Sequence, residues 1–112
     1  MDRKIEKYLC DILDCIDEID SYFIDYPCQF QTYCDKALLR SAIHMQLAII
    51  GEATNHILKI SPDIQISNAR QIISTRNYII HGYDSLHPAM IWAIVINDLP
   101  KLRSEVAALL ER

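Results

Sequence analysis

The sequence predicts an all-α protein: an up-and-down bundle of four to five helices, forming one domain over residues 1–112. Three observations carry this. Apolar residues recur at alternating steps of four and three through long stretches, the period of one helix face. No stretch alternates apolar and polar residues as a half-buried strand does. Only two glycines and four prolines punctuate 112 residues, and the prolines mark breaks in the periodic stretches.

Taken in order, residues 2–24 read as the first helix, with Ile5, Leu9, Ile12, Ile16, Ile19 and Phe23 as a single stripe. Asp11, Asp14, Asp17 and Glu18 lie off it and read as a solvated face. Residues 25–33, with Pro27 inside, read as a turn or loop. A second helix over 35–60 carries two apolar stripes, one through Leu38, Ala42, Met45 and Ile49 and one through Leu39, Ile43, Ile50 and Ile57. So wide an apolar face implies a central helix packed on more than one side. Glu52 and His56 continue the first stripe. A carboxylate there must be paired or sit in a wet cleft, so an ion pair anchoring another helix and a direct role both stay open. His56 reads as a capping or packing histidine. Gly51 is placed to let another backbone come close.

Pro62 closes the second helix. A third starts near Ile66 or Ser67, with the serine as N-cap. Its stripe is Ile66, Ala69, Ile73, Arg76 and Ile80, so an arginine stands where the pattern asks for a hydrophobe. That guanidinium needs an anionic partner, and Glu52 and a substrate phosphate are the candidates. Gly82 suits a left-handed C′ position, which ends the helix at His81. Residues 84–87 are a short connection, and Pro88 suits the first turn of the next helix. That helix carries Ile91, Trp92, Val95 and Leu99, then Leu102, Val106 and Leu109, and Pro100 must kink it or divide it at Asp98.

Composition narrows the function. Hydrophobic residues make up 51% of the chain, which suggests apolar surface left for a partner chain. The formal net charge of −4 repels nucleic acid, so any RNA contact needs a local cationic patch. Residues 1–6 have no apolar signal core, and the longest uncharged apolar run, 91–96, is far short of the ~20 residues that span a bilayer. Cys10, Cys15, Cys28 and Cys34 contain no C-x-x-C pair and read as reduced thiols. A cytoplasmic protein without membrane contact is the expectation. With two glycines in all, a glycine-rich phosphate loop is excluded.

The chemistry concentrates in Arg76-Asn77-Tyr78-Ile79-Ile80-His81-Gly82-Tyr83. A histidine can take a proton from a ribose 2′-OH or give one to a leaving 5′-oxygen. An arginine can hold a phosphate bidentately and stabilise charge developing on it. These groups suit phosphodiester cleavage without a metal. Arg76 and His81 are five residues apart, about 140° of rotation on a regular helix, so convergence needs the helix to end or the arginine to reach round. One histidine cannot easily perform both proton transfers, whereas a symmetric dimer supplies two. Spacing alone also allows a plain helix C-cap, since histidine and then glycine are common there.

The same segment resembles the R-x-x-x-x-H-x-Y signature of HepT-like toxins in the HEPN superfamily. Ile49-Ile50-Gly51-Glu52-Ala53 is similar to that family's second-helix segment. His81-Gly82-Tyr83-Asp84, Ile91-Trp92 and Asp98-Leu99-Pro100-Lys101-Leu102 resemble its C-terminal part. The likeness covers the chain from about residue 35 onward. It implies the toxin of a type VII toxin–antitoxin system: a homodimeric, metal-independent endoribonuclease with no cofactor and a composite site at the dimer interface. Arg76 would contact phosphate, His81 would be the acid/base, and Asn77 and Glu52 would support them. The partner would be a MntA-like nucleotidyltransferase antitoxin that transfers AMP onto Tyr83, adding bulk and negative charge beside His81. Ser67 departs from the family, whose members often carry an aromatic there, and this is expected to affect packing only. The acidic balance requires the dimer cleft to gather Arg70, Arg76 and nearby bases. The alternative is a non-catalytic helical module that binds the nucleotidyltransferase or a nucleotide.

Overall fold

In the computed structural model, which describes residues 1–82 and 87–111, the first helix begins where Asp2 caps it. The Asp2 carboxylate accepts from the N–H groups of Lys4 and Ile5, and α1 runs Arg3–Asp25. Its stripe of Ile5, Leu9, Ile12, Ile16 and Ile19 is buried, joined by Cys15. Burial pushes the Cys15 thiol up to about 11, with Asp11, Asp14 and Glu18 adding to it, so it stays protonated at neutral pH. All four cysteines are free.

The loop expected over 25–33 is in part a helix, α2 (Phe30–Asp35). Tertiary burial decides this. Tyr33 is 1% exposed, its hydroxyl lies 2.6 Å from Nε2 of His44, and its ring sits 5.8 Å from that of Trp92. A helical turn is what carries Tyr33 inward, and the Gln31 amide donates to Asp35 at 2.9 Å along it.

The central helix, α3 (Ala37–Ile60), packs against α1 and against α4 (Ala69–His81). Its stripe through Leu39, Ile43, Ile50 and Ile57 is buried, together with Leu47 and Ala53. The other stripe is not: Leu38 is 75% exposed, Met45 61% and Ile49 41%. The central helix is thus packed on more than one side, as expected, while the stripe through Leu38, Met45 and Ile49 stays uncovered by the described helices.

Three expectations for α4 also change. The helix starts at Ala69, after Asn68 in the left-handed region at φ 59°. Ser67 does not cap it, because its N–H and hydroxyl donate to the Glu105 carboxylate at 3.1 and 2.7 Å. The buried face is Ala69, Ile72 and Thr75, with Arg76 and Ile79 half-buried beside it, while Ile80 is exposed. The inward face is thus turned by about one residue from the stripe read in the sequence. The helix ends at His81 as expected, but Gly82 has φ −126° and is not left-handed. Its N–H simply closes the last turn onto the Tyr78 carbonyl at 2.9 Å. Tyr83 and the rest of the 83–86 segment lie outside the described residues.

Pro88 occupies the first turn of α5 (Pro88–Ala93), which runs through a π-helical turn, Ile94–Asp98, into α6 (Leu99–Leu110). Proline 100 has no N–H to donate, and the wider turn in front of it, closed by the Leu99 N–H on the Ile94 carbonyl, accommodates the division at Asp98. Leu102, Val106 and Leu109 return α6 to the core against α1. Arg103 ties the two helices outside the core, reaching Asp17 at 2.5 Å and Asp20 at 2.6 Å. The described residues contain no strand, and none of their helices is long and apolar enough to cross a membrane.

Candidate functional site

The site is built on the contact between α3 and α4, and Gly51 makes that contact possible. A Cβ at Gly51 would lie 2.3 Å from Cβ of Arg76 and 3.1 Å from the Ile72 carbonyl oxygen. Only a hydrogen fits there, so the stem of Arg76 runs directly beneath α3. One residue on, Glu52 meets the guanidinium: Nη2 of Arg76 lies 2.6 Å from Oε2. Of the two partners open in the sequence, the carboxylate is the one that the chain itself provides. The pair is half-buried, with the Arg76 side chain 26% exposed and that of Glu52 41%. Arg76 also donates from Nη1 to Oδ1 of Asn77 at 2.8 Å. Its Nε is buried and has no hydrogen-bond partner among the described residues.

The other oxygen of Glu52 turns the opposite way. Oε1 lies 3.0 Å from Nε2 of His56, whose ring stacks on Tyr8 with centroids 4.9 Å apart and planes 10° from parallel. A polar chain thus runs from Tyr8 on α1 through His56 and Glu52 on α3 to Arg76 and Asn77 on α4. The sequence reading gave His56 no part in this. Its i,i+4 spacing from Glu52 was the available signal.

His81 stands elsewhere on α4. It is exposed and lines an open cleft of about 380 Å³ with Ser74, Asn77, Tyr78 and Gly82. Because α4 stays helical to His81, the roughly 140° between positions 76 and 81 is kept, and Arg76 is not among the residues lining that cleft. Asn77 joins the two groups: its side chain accepts from Arg76, and the same residue lines the cleft of His81. Within the chain the fold brings Arg76, Glu52 and Asn77 together and sets His81 on the next face. Tyr83 lies outside the described residues. Among the described residues no three His, Cys, Asp or Glu side chains are grouped so as to hold a metal ion.

Comparison with known proteins supplies the family. Residues 12–109 match the family described as ribonuclease HepT-like. A Thermococcus cleftensis protein named as a probable ribonuclease HepT is 29% identical over 109 residues, covering 94% of each chain. A candidate RNase of Methanocaldococcus jannaschii is 27% identical over 106 residues, covering 93% of this chain and 94% of that one. A second protein of that organism, named as a gamma-glutamylcyclotransferase and candidate RNase, is 24% identical over 112 residues, 99% of this chain and 50% of that protein. No solved structure gives a significant match. With Arg76 and His81 both on α4 and the family match spanning residues 12–109, the chain belongs to the HepT-like ribonuclease family.

Proposed function

We propose that the protein is a metal-independent endoribonuclease that acts in the cytoplasm as a homodimer, the toxin of a type VII toxin–antitoxin system. The observation that carries this reading is the shared position of Asn77, which holds the Arg76 guanidinium on one side and lines the His81 cleft on the other. Arginine, amide and imidazole are the groups that bind a phosphodiester and move protons around it.

The reaction follows from those groups. One His81 accepts the 2′-OH proton as the 2′-oxygen bonds to phosphorus. The His81 of the second copy protonates the 5′-oxygen as its bond to phosphorus breaks. Arg76 stabilises the charge on the non-bridging oxygens. Glu52 holds Arg76 in place before RNA arrives. The exposed stripe of Leu38, Met45 and Ile49, which runs along α3 into Glu52, supports the dimer, because a second copy packed there would lie beside the site. An antitoxin of the nucleotidyltransferase type would silence the enzyme by placing AMP on Tyr83, two residues from His81.

The test is cleavage of total RNA by protein purified without antitoxin, in excess EDTA. Wild type cleaves, and His81→Ala and Arg76→Ala lose at least about a hundredfold in rate, as expected for an acid/base and a charge-stabilising group. Equal cleavage by wild type and His81→Ala removes the assignment. The rival reading, a module that binds the nucleotidyltransferase without cleaving RNA, draws on the engagement of Arg76 by Glu52 in the protomer. It would be favoured by a tight complex, no RNase activity, and no added AMP mass on incubation with antitoxin and ATP.

A further inference from the structure

A second cleft lies along α4 from the first. It has a volume of about 410 Å³, and Asn55 and Lys59 of α3 face Arg70 and Ser74 of α4 across a floor of Leu58 and Ile73. Ser74 lines this cleft and the His81 cleft alike, so the two adjoin at that residue. On α4 the polar residues Arg70, Ser74, Asn77 and His81 follow one another at steps of four, three and four, a single helix face. Eleven residues of helix place Arg70 about 16 Å from His81 along the axis.

The charges in this cleft are arranged for an anion. Neither Lys59 nor Arg70 has an ion-pair partner among the described residues, a state they share with Arg3, Lys4, Lys36, Arg40 and Lys101, but these two line one cleft together. Among the described residues no acidic one lines the cleft, in a chain whose net charge is −4. Arg70 sits in the first turn of α4, where the helix dipole disfavours a cation and favours an anion. An arginine there is locally unfavourable, and a bound phosphate would relieve it. The apolar floor suits the sugar or base of the same nucleotide.

We infer that this cleft is a subsite for the RNA backbone, in which Lys59 and Arg70 hold a phosphate a few nucleotides away from the one cleaved at His81. The inference rests on the ribonuclease reading and deepens it. It also locates the cationic patch that an acidic ribonuclease requires: the patch extends the α4 face and does not surround the catalytic histidine.

The experiment measures fluorescence anisotropy of a single-stranded 2′-O-methyl oligonucleotide, which binds but cannot be cleaved, across a range of salt concentrations. Lys59→Gln/Arg70→Gln is expected to bind at least about tenfold more weakly. Its slope of log affinity against log salt should be shallower by about 1.4, or roughly 0.7 for each of two lost contacts. Lys59→Arg/Arg70→Lys keeps both charges and should retain the parental slope. In cleavage, the double glutamine variant should lose at least about tenfold more kcat/KM on a long oligonucleotide than on a dinucleotide. Equal affinity and slope in wild type and the glutamine variant would overturn the subsite. So would equal losses on long and short substrates, or a weakening of AMP binding as large as that of the oligonucleotide. Because binding is read without cleavage, a wild type that shows the salt signature yet cleaves nothing refutes the nuclease reading alone.

Discussion

Replacing Gly51 by alanine adds one methyl group at the place where α3 and α4 touch. The new Cβ would lie 2.3 Å from Cβ of Arg76, 3.0 Å from its Cγ and 3.1 Å from the Ile72 carbonyl oxygen. Carbon atoms rest at about 3.5–4.0 Å, so the helices must part by about 1.5 Å locally. No flexible tip can swing aside, since the obstructing atoms are the base of a side chain and the main chain. Alanine gains up to about 1 kcal/mol of helix propensity over glycine. Overpacking of this kind costs about 1–3 kcal/mol. The upper part of that range applies, leaving a net loss of about 1–2 kcal/mol. In a domain of this size that lowers the melting temperature by about 4–8 °C. The shift should also carry Arg76 away from Glu52, opening a contact of 2.6 Å, so RNA cleavage should fall by more than the unfolded fraction explains. Gly82→Ala is the control: there a Cβ would meet Tyr78 at 3.5 Å, an ordinary contact, and φ is negative. Its melting temperature should move by less than about 2 °C, in line with a surface change of about 0.5 kcal/mol. Thermal melting by circular dichroism reads both variants. A Gly51→Ala protein that melts with the parent and cleaves RNA normally would show that the close approach of the two helices constrains nothing.

Further outcomes follow from other contacts. Glu52→Gln keeps the shape of the anchor but removes its charge from Arg76 and His56, and kcat/KM should fall by about 10- to 100-fold with little change in melting; an unchanged value means that Glu52 does not position the arginine. Burial holds the buried His44 below its ordinary value of 6.5, and the charge of Arg40 acts in the same direction. The unfolded chain then binds the proton more readily, so this group's contribution to stability is complete above about pH 6.5 and is lost as pH falls from there toward the folded value. The melting temperature should drop over that window more steeply in wild type than in His44→Gln, and parallel curves would refute the assignment. Arg103→Ala removes two largely exposed ion pairs and should cost no more than about 1 kcal/mol, a difference that 1 M salt removes; a larger loss that persists in salt would mean the side chain acts through packing instead.

What could be read directly from the sequence was local. Helix periodicity placed α1, α3 and α4 to within about three residues, because an amphipathic face repeats whatever lies opposite it. Pro62, Pro88 and Pro100 marked real boundaries, since a missing N–H acts on its own neighbours. Arg76 stood out as a cation among hydrophobes, with Glu52 as one candidate partner, and Gly51 as a glycine inside a helix. The tertiary structure decided the pairings. Tyr33 pulled a supposed loop into a helix because His44 and Trp92 wait for it across the fold. Ser67 left its expected cap for Glu105, 38 residues away. Which stripe of α3 lies inside, which oxygen of Glu52 serves Arg76 and which serves His56, and the separation of Arg76 from His81 on α4 all depend on where distant helices come to rest. Hydrophobic spacing reports which residues share a face of one helix; only packing reports what that face meets.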